Sequence, residues 1–377
     1  MFRRASPGQP RRLAVAIDAR LADYTVGGIA QYTLQLARAL ARLGGAEYTL
    51  LRAARPRERP APVPGLRERR LWTPPHHRLE QWTLPAELLA LRPDVLHSPD
   101  FIPPFRRTYR SVITVHDLAF LRHPETMTPD SHRYYDQIAR AVQSTDRVIA
   151  VSNATRRDIV ELLGVREERI SVVPHGVDPA FSLRSAAEQR QVREQYGLEG
   201  RFLLWVGTFE PRKNLPTLLR AFQEVRERHS DLTLALVGRR GWLDSLIFEM
   251  LQTPPYNRGV RVLEQVPRGD LPGLFSAASA FVFPSLYEGF GLPLLEAMAC
   301  ETPIVAANTS SLPEVLGSAG LLVSPLDPAQ LASAILRVLE DYPLAAELRK
   351  RGLLRVSRFT WERTARQTLE IYRQVAA

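Results

Sequence analysis

The sequence predicts an α/β protein of two doubly wound domains, each a parallel sheet with helices packed on it. Short apolar, β-branched segments alternate with segments of helical period, the pattern of consecutive strand-helix-strand units. The alternation stops in a polar, irregular stretch at residues 178–198 and then restarts. A chain of 377 residues has room for two or three domains. A single small module is therefore excluded.

The first half contains segments too uniformly apolar for half-exposed strands, so we expect buried parallel strands there. These segments are residues 13–19, 48–51, 95–97, 112–115, 148–151 and 170–173. Helical spacing predicts helices at residues 29–43, 79–91, 131–144 and 154–163. Residues 52–70 carry four prolines and seven arginines, a composition that predicts an exposed loop.

The second half repeats the pattern and ends in a long helical segment. Its predicted strands are residues 202–206, 232–237, 260–263, 280–283, 304–306 and 321–323, and residues 328–377 have helical spacing. We divide the chain into a first domain at residues 1–180 and a second at 181–358. The last segment, residues 359–377, is expected to pack back on the first domain.

Composition limits where the protein works. No run approaches the roughly 18 uncharged apolar residues of a membrane-spanning helix, and the polar, basic start lacks the apolar core of a signal peptide. Cys300 is the only cysteine, which excludes an intrachain disulfide and a cysteine-built metal site. We expect a cytoplasmic protein without an export signal.

The charge is uneven along the chain. Residues 1–180 hold 27 basic and 19 acidic residues, a net of +8, whereas residues 181–377 hold 23 and 21, a net of +2. The basic first half suggests an anionic partner. Nucleic acid is a remote alternative, because no nucleic-acid-binding motif accompanies the pI of about 10.1.

The sharpest motif is a glycine loop that follows the predicted strand at 280–283. Gly289 and Gly291 would let backbone N–H groups approach a ligand, and Pro293 suits the first turn of a helix whose positive end favours an anion. Glu288 on the loop is positioned for sugar hydroxyls, and Glu296 for a ribose one turn into the helix. The alternative is a tight turn followed by a solvated glutamate.

A second motif, Arg212-Lys213, follows the predicted strand at 202–206. Ligands of doubly wound sheets bind at such strand ends. A planar guanidinium beside an ammonium matches a diphosphate leaving group, and cations at a helix start oppose the helix dipole unless an anion is near. A solvated basic helix start is the alternative.

The first half offers weaker candidates. Gly27-Gly28 lies between a strand and a helix and resembles an anion loop without the full G-x-G-x-x-G pattern. His116 and His175 end predicted strands and would face the same cleft. No G-x-S-x-G, H-E-x-x-H or G-x-x-x-x-G-K-[ST] motif occurs, and no acid pair marks a metal site, so these hydrolase, zincin and P-loop classes lose support.

Together these motifs resemble the nucleotide-sugar glycosyltransferases of family four, the glycosyl transferases group 1. The resemblance extends to residues 115–117, 150–153, 173–178, 284–288 and 312–315. It implies the GT-B fold, in which two Rossmann-like domains enclose a cleft. It also implies retention of the donor's anomeric configuration, a nucleoside diphosphate leaving group, and neither a metal nor a cofactor.

The resemblance assigns roles position by position. The implied catalytic residues are His116, Glu288, Arg212 and Lys213. The implied donor-binding residues are Gly27, Gly28, Arg212, Lys213, Phe290, Gly291, Leu292 and Glu296. The sequence departs from the family at Glu301 and at 264–265, where glycine is frequent, which leaves the nucleotide base unassigned.

Residues 96–99 and 114–118 further resemble mannosyl- or rhamnosyltransferases of bacterial surface polysaccharide assembly. This implies a GDP-mannose-like donor and a glycan or polyprenyl-linked acceptor.

Arginines at residues 52–70, with Arg106, Arg107 and Arg110, are expected to face an anionic membrane at its inner surface, or else to decorate a solvated face. A sugar-nucleotide epimerase or a phosphorylase on the same architecture is the alternative function. Closure of the cleft about a hinge near Asp178 is also expected.

Overall fold

A computed structural model describes residues 12–25, 27–58, 61–124, 135–241 and 244–377. The described chain forms two parallel sheets, as predicted. The first sheet has seven strands in the order β3-β2-β1-β4-β5-β6-β7. Its strands are β1 Ala14–Asp18, β2 Glu47–Ala53, β3 Arg67–Leu71, β4 Val95–Ser98, β5 Arg110–Val115, β6 Arg147–Ala150 and β7 Ile170–Val172.

The second sheet has six strands in the order β10-β9-β8-β11-β12-β13. Its strands are β8 Phe202–Val206, β9 Thr233–Val237, β10 Val260–Leu263, β11 Ala280–Phe283, β12 Ile304–Ala307 and β13 Leu321–Val323. The strand order reverses beside β1 in the first sheet and beside β8 in the second. Such a reversal is the switch point at which Rossmann-like folds bind ligands. The predicted fold class, two Rossmann-like domains, is confirmed.

Helices connect the strands and cover the sheets. In the first half they are Gly28–Leu43, Glu80–Leu88, Ala119–Arg122, Ile138–Ser144 and Asn153–Leu163. In the second half they are Ala186–Tyr196, Leu215–Arg228, Ser245–Gln252, Leu271–Ala277, Leu292–Ala299, Leu312–Leu316, Pro328–Glu340, Tyr342–Val356 and Trp361–Ala376. The start of the helix predicted at 131–144 lies outside the described residues.

Residue type explains these elements locally. Strands β4 and β11 are buried along their whole length, as expected of parallel strands covered on both faces. The helix Gly28–Leu43 turns Tyr32, Leu36 and Leu40 toward the core, one helical turn apart. Ser185 begins the helix Ala186–Tyr196 with a reciprocal capping box to Glu188.

The loop predicted at 52–70 is only partly a loop. Strand β2 continues to Ala53, and β3 pairs with it in parallel at the edge of the sheet. Arg52 is buried and forms an ion pair with the buried Asp23. The prediction was wrong here because β3, with sequence RERRL, buries only Leu71 and so shows no apolar period.

The chain crosses between the domains at two adjacent segments. Val177 N–H donates to Phe359 O at 3.0 Å, and a Cβ added to Gly176 would lie 2.2 Å from the backbone nitrogen of Trp361. Beyond the second crossing, the helix Trp361–Ala376 packs into the core of the first sheet, where Tyr372 Oη lies 2.7 Å from His97 Nδ1. The two domains are thereby tied together at one side of the cleft.

Candidate active site

Two cations and two carboxylates form a compact cluster at the carboxyl end of β8. Lys213 Nζ lies 2.6 Å from Glu288 Oε1, and Arg212 Nη1 lies 3.2 Å from Glu288 Oε2. Glu210 completes the cluster at 2.8 Å from Arg212 Nη2 and 3.9 Å from Lys213 Nζ. Sequence reasoning named three of these residues and missed Glu210, although it stands two residues before Arg212.

The electrostatics of this cluster depend on burial and on charge pairing. Burial pushes the pKa of Glu288 upward, but the charges of Lys213 and Arg212 outweigh burial and hold that pKa below its ordinary value. Burial dominates at Glu210 and raises its pKa against the same two cations. Both cations are therefore already paired with carboxylates, and any anionic ligand would have to compete with those carboxylates for them.

The glycine loop beside this cluster presents backbone donors. Within the described chain, no hydrogen bond is formed by the N–H groups of Phe290, Gly291 or Leu292. Gly291 has a φ of 96°, a conformation that favours glycine, and begins the helix Leu292–Ala299. Glu288 is held in place through its backbone, since its N–H donates to Ser310 Oγ at 2.9 Å. The loop can bind an anion or sugar oxygens.

Glu296, predicted to bind ribose, is buried and paired with a residue that sequence reasoning did not single out. Arg268 Nη2 lies 2.9 Å from Glu296 Oε1 and 3.6 Å from Asp178 Oδ2. Burial raises the pKa of Glu296, while Arg268 opposes that rise. Gln35 of the first domain donates to Asp178 at 2.7 Å. This chain of contacts joins Glu296 to the crossing segment.

His116 forms the opposite wall, on the first domain. Its Nε2 lies 2.9 Å from Pro99 O, so this nitrogen carries the proton and Nδ1 is left as an acceptor. Burial lowers the pKa of His116 to about 4, which keeps the ring neutral at pH 7. The rings of Tyr32 and His175 lie 4.7 Å and 5.5 Å from it and fix its position.

Gly27 and Gly28 lie at the start of the helix Gly28–Leu43. Gly27 is the cap residue, and no side chain caps the helix there. A Cβ added to Gly28 would meet no atom within 4 Å, so the described structure leaves room beside this helix end. The preceding Val26 lies outside the described residues.

The sequence suggests that Gly289 is a glycine so that backbone N–H groups can approach a ligand. The structure gives a different reason, which is a close contact with the other domain. A Cβ at this position would lie 1.7 Å from the backbone oxygen of His116 and 2.8 Å from Asp117 Cβ. Thr155 Oγ1 also donates to Gly289 O at 3.1 Å. The glycine permits the second domain's loop to touch the first domain, which brings Glu288 toward His116.

Two further contacts across the cleft were not predicted as such. Tyr287 Oη donates to Asp158 Oδ2 at 2.6 Å. Glu314 accepts from the N–H groups of Asn153 at 3.1 Å and Ala154 at 2.9 Å, and so caps a helix of the opposite domain. In the described residues, the two domains therefore contact each other around the candidate site.

Two features are absent from the described ranges. No group of three or more His, Cys, Asp or Glu side chains there is arranged to hold a metal ion. Among the described helices, none has the length and apolar character needed to span a bilayer.

The fold and the site together define a class of protein. The structure is similar to that of sucrose-phosphate synthase from Thermosynechococcus elongatus, with a TM-score of 0.79 and 25% identity over 96% of this chain and 99% of that one. Two Rossmann-like domains in contact around a cluster of cations at a strand end are the GT-B architecture of glycosyltransferases, and the GT-B prediction is confirmed.

Sequence comparisons identify the family. The family model described as Glycosyltransferase Family 4 matches residues 26–181, and that of Glycosyl transferases group 1 matches residues 188–355. O-antigen chain mannosyltransferase B of Escherichia coli is 36% identical over 79% of this chain and 78% of its own length. A D-inositol 3-phosphate glycosyltransferase of Acidothermus cellulolyticus is 30% identical over 99% and 92%. The chain belongs to the group 1, family 4 glycosyltransferases, which supports glycosyl transfer over the epimerase, phosphorylase and nucleic-acid alternatives.

Proposed function

We propose that the protein is a retaining mannosyltransferase of surface polysaccharide biosynthesis. It transfers mannose from a GDP-mannose-like donor to a glycan or polyprenyl-linked acceptor, without a metal ion. The observation that carries this proposal is the cluster of the half-buried Arg212 with the buried Lys213, Glu210 and Glu288, beside loop amides that have no partner within the described residues. The name of the mannosyltransferase relative supports the choice of sugar.

The two cations would stabilise the departing diphosphate. Negative charge grows on the leaving oxygen as the glycosidic bond breaks, and preorganised donors in a water-poor site stabilise such charge strongly. Arg212 offers two parallel donors and Lys213 a point charge, which do the work of a metal ion. When the diphosphate takes over the cations, the carboxylate of Glu288 is released to accept hydrogen bonds from the donor sugar.

The remaining assigned residues would orient the donor. Amides of Phe290, Gly291 and Leu292 bind diphosphate or sugar oxygens, and Glu296 leaves Arg268 to bind the ribose. The open helix end at Gly27 and Gly28 contacts phosphate from the other domain. His116, neutral and with Nδ1 as an acceptor, would receive a hydrogen bond from a sugar hydroxyl.

A donor screen tests the proposal. Thermal shift with GDP, UDP, ADP and dTDP should give the largest stabilisation with GDP, because a ligand that binds only the folded state raises its stability. Release of nucleoside diphosphate from GDP-mannose, in the presence of a chelator, should then depend on a mannosylated acceptor. NMR of the product should show the donor's anomeric configuration retained. Selective response to another nucleotide would refute the donor assignment, and an inverted product would refute the mechanism.

The acceptor requires its own comparison. A lipid-linked glycan analogue and D-inositol 3-phosphate should be offered in parallel, since the second relative is named for the latter compound. Turnover with the glycan analogue alone is the expected result. Turnover with inositol phosphate alone would contradict the polysaccharide assignment while leaving the glycosyltransferase class intact.

A further inference from the structure

One helix of the first domain carries large apolar side chains on both its buried and its exposed face. In the helix Glu80–Leu88, Leu84 and Leu88 point inward and are only 1% exposed. The outer side presents Trp82, at 64% exposure, while Leu79 and Leu89 at the two ends of the helix are 55% and 65% exposed. An outer face of this kind is unusual, because exposed helix faces are ordinarily polar.

A second tryptophan lies beside this helix. Trp72, 71% exposed, follows strand β3, and its backbone N–H donates to Glu87 Oε2 of the helix at 2.7 Å. The neighbouring Thr73 N–H donates to the other oxygen of Glu87 at 2.9 Å. The backbone of Trp72 is therefore held beside this helix. We call Trp72, Leu79, Trp82 and Leu89 the tryptophan patch.

Arginines surround the tryptophan patch. The guanidinium of Arg106 lies 4.8 Å from the ring of Trp82, and that of Arg55 lies 5.5 Å from the ring of Trp72. Residues 52–110 contain twelve arginines but six acidic residues. Five of those acids are engaged: Glu68 with Arg52, Glu80 with Arg20, Glu87 with backbone N–H groups, Asp94 with the N–H of Ala14, and Asp100 with His76. The surroundings of the patch therefore carry an excess of positive charge.

This surface differs from the one that the sequence suggested. Arg52 is buried against Asp23, and Arg107 donates to the backbone oxygens of Pro104 and Ser144. Both arginines are engaged by the protein itself. The exposed tryptophans, rather than a count of arginines, distinguish this face from an ordinary solvated surface.

We propose that the tryptophan patch seats the enzyme on an anionic membrane surface. Tryptophan favours the boundary between lipid head groups and acyl chains, where its ring is buried and its N–H remains hydrated. Leucines beside it add apolar area, and flanking arginines attract anionic head groups. An anionic lipid surface would match both the apolar side chains and the positive charge of this region, whereas an uncharged apolar partner would leave the arginines without anions.

The helix that carries Trp82 is joined through Gln81 to the wall of the candidate active site. Gln81 Oε1 accepts from Phe105 N–H at 3.0 Å, and Gln81 Nε2 donates to Pro103 O at 3.2 Å. The same loop contains Pro99, whose oxygen binds His116. Docking at the patch would therefore place the first-domain side of the cleft near the bilayer. This rests on the proposed lipid-linked acceptor, which would enter from that side.

Vesicle binding tests the proposal. The full chain is sedimented with vesicles of phosphatidylcholine alone or mixed with phosphatidylglycerol, and binding to the mixed vesicles is expected. The double variant Trp72→Ser/Trp82→Ser should partition at least about tenfold more weakly. Arg55→Gln and Arg106→Gln should each weaken vesicle binding about fivefold. Added salt should make this difference between each variant and the native chain smaller. The matched control is Tyr342→Ser/Leu354→Ser, which removes side chains 75% and 64% exposed on the second domain and should leave binding unchanged.

The outcomes separate this proposal from the proposed function. Absence of binding to mixed vesicles, or equal binding by the patch and control variants, would overturn it. A native dimer that the patch variant dissociates, with no vesicle binding, would assign the patch to a second copy of the chain. Turnover with a soluble acceptor should be unaffected by the patch variant. Vesicle binding without any glycosyl transfer would instead leave the patch standing and remove the proposed function.

Discussion

The contact between Gly289 and His116 gives the sharpest test of the interdomain site. In Gly289→Ala, the new Cβ would lie 1.7 Å from the His116 backbone oxygen, whereas real Cβ atoms essentially never approach closer than 3.0 Å. The two loops must therefore separate by about 1.3 Å or more. A misplacement of about 1 Å can reduce a rate about 100-fold, so we expect a loss of that size in kcat/KM. Melting temperature should change little, because opening the domains relieves the clash.

Initial rates of nucleoside diphosphate release measure this effect, and small-angle X-ray scattering measures the separation of the domains. The matched control is Gly200→Ala on the same domain, where the added Cβ would find its nearest neighbour at an ordinary 3.9 Å. The control should keep native kcat/KM and native scattering. If Gly289→Ala turns over at the native rate with an unchanged scattering curve, the described contact does not shape the active arrangement.

Four other variants test three separate parts of the structure. Arg212→Ala and Lys213→Ala should each lower turnover about 100-fold or more, and native turnover in both would exclude them as diphosphate ligands. Burial lowers the pKa of His97 from 6.5 to about 3 in the folded chain. Between pH 3 and pH 6.5, the unfolded chain therefore binds more protons at this histidine than the folded chain does. Stability should then fall as pH drops below about 6.5, by up to about 1.4 kcal/mol per pH unit for this histidine. Melting curves of His97→Gln should show a shallower pH dependence, and an equal slope would contradict this origin. Glu314→Ala should cost about 1 kcal/mol in denaturant unfolding and enlarge the radius of gyration, and an unaltered radius would argue against its bridging role.

Buried strands were predictable because parallel strands covered on both faces require an uninterrupted apolar run. Strand β8, with sequence FLLWV, satisfies that requirement, and the structure places it at residues 202–206 as expected. Strand β3 does not, since an edge strand with charged residues on both faces lacks any apolar pattern. Its position depends on pairing with β2, a contact between segments of the chain that local composition does not encode.

The candidate site was predictable in its residue types and only partly in its contacts. Glycines, adjacent cations and an acid at strand ends indicated a phosphate or sugar ligand, and Arg212, Lys213 and Glu288 do lie together. The pairing of Arg212 with Glu210, two residues away, was missed, and the pairing of Glu296 with Arg268 was not predictable. An isolated Arg or Glu in a loop carries no signal of its partner, because the pairing requires two loops to fold onto one edge of the sheet.

The sequence by itself determined the α/β alternation, the division into two sheets and the chemical character of the strand-end loops, since each follows from periodicity and residue type over short distances. Tertiary structure alone decided that Gly289 serves contact between domains, that the cations begin in ion pairs with carboxylates, and that the exposed Trp72 is held beside the helix that carries the exposed Trp82. These facts depend on the distances between residues remote in the chain, and only the packing of complete domains sets such distances.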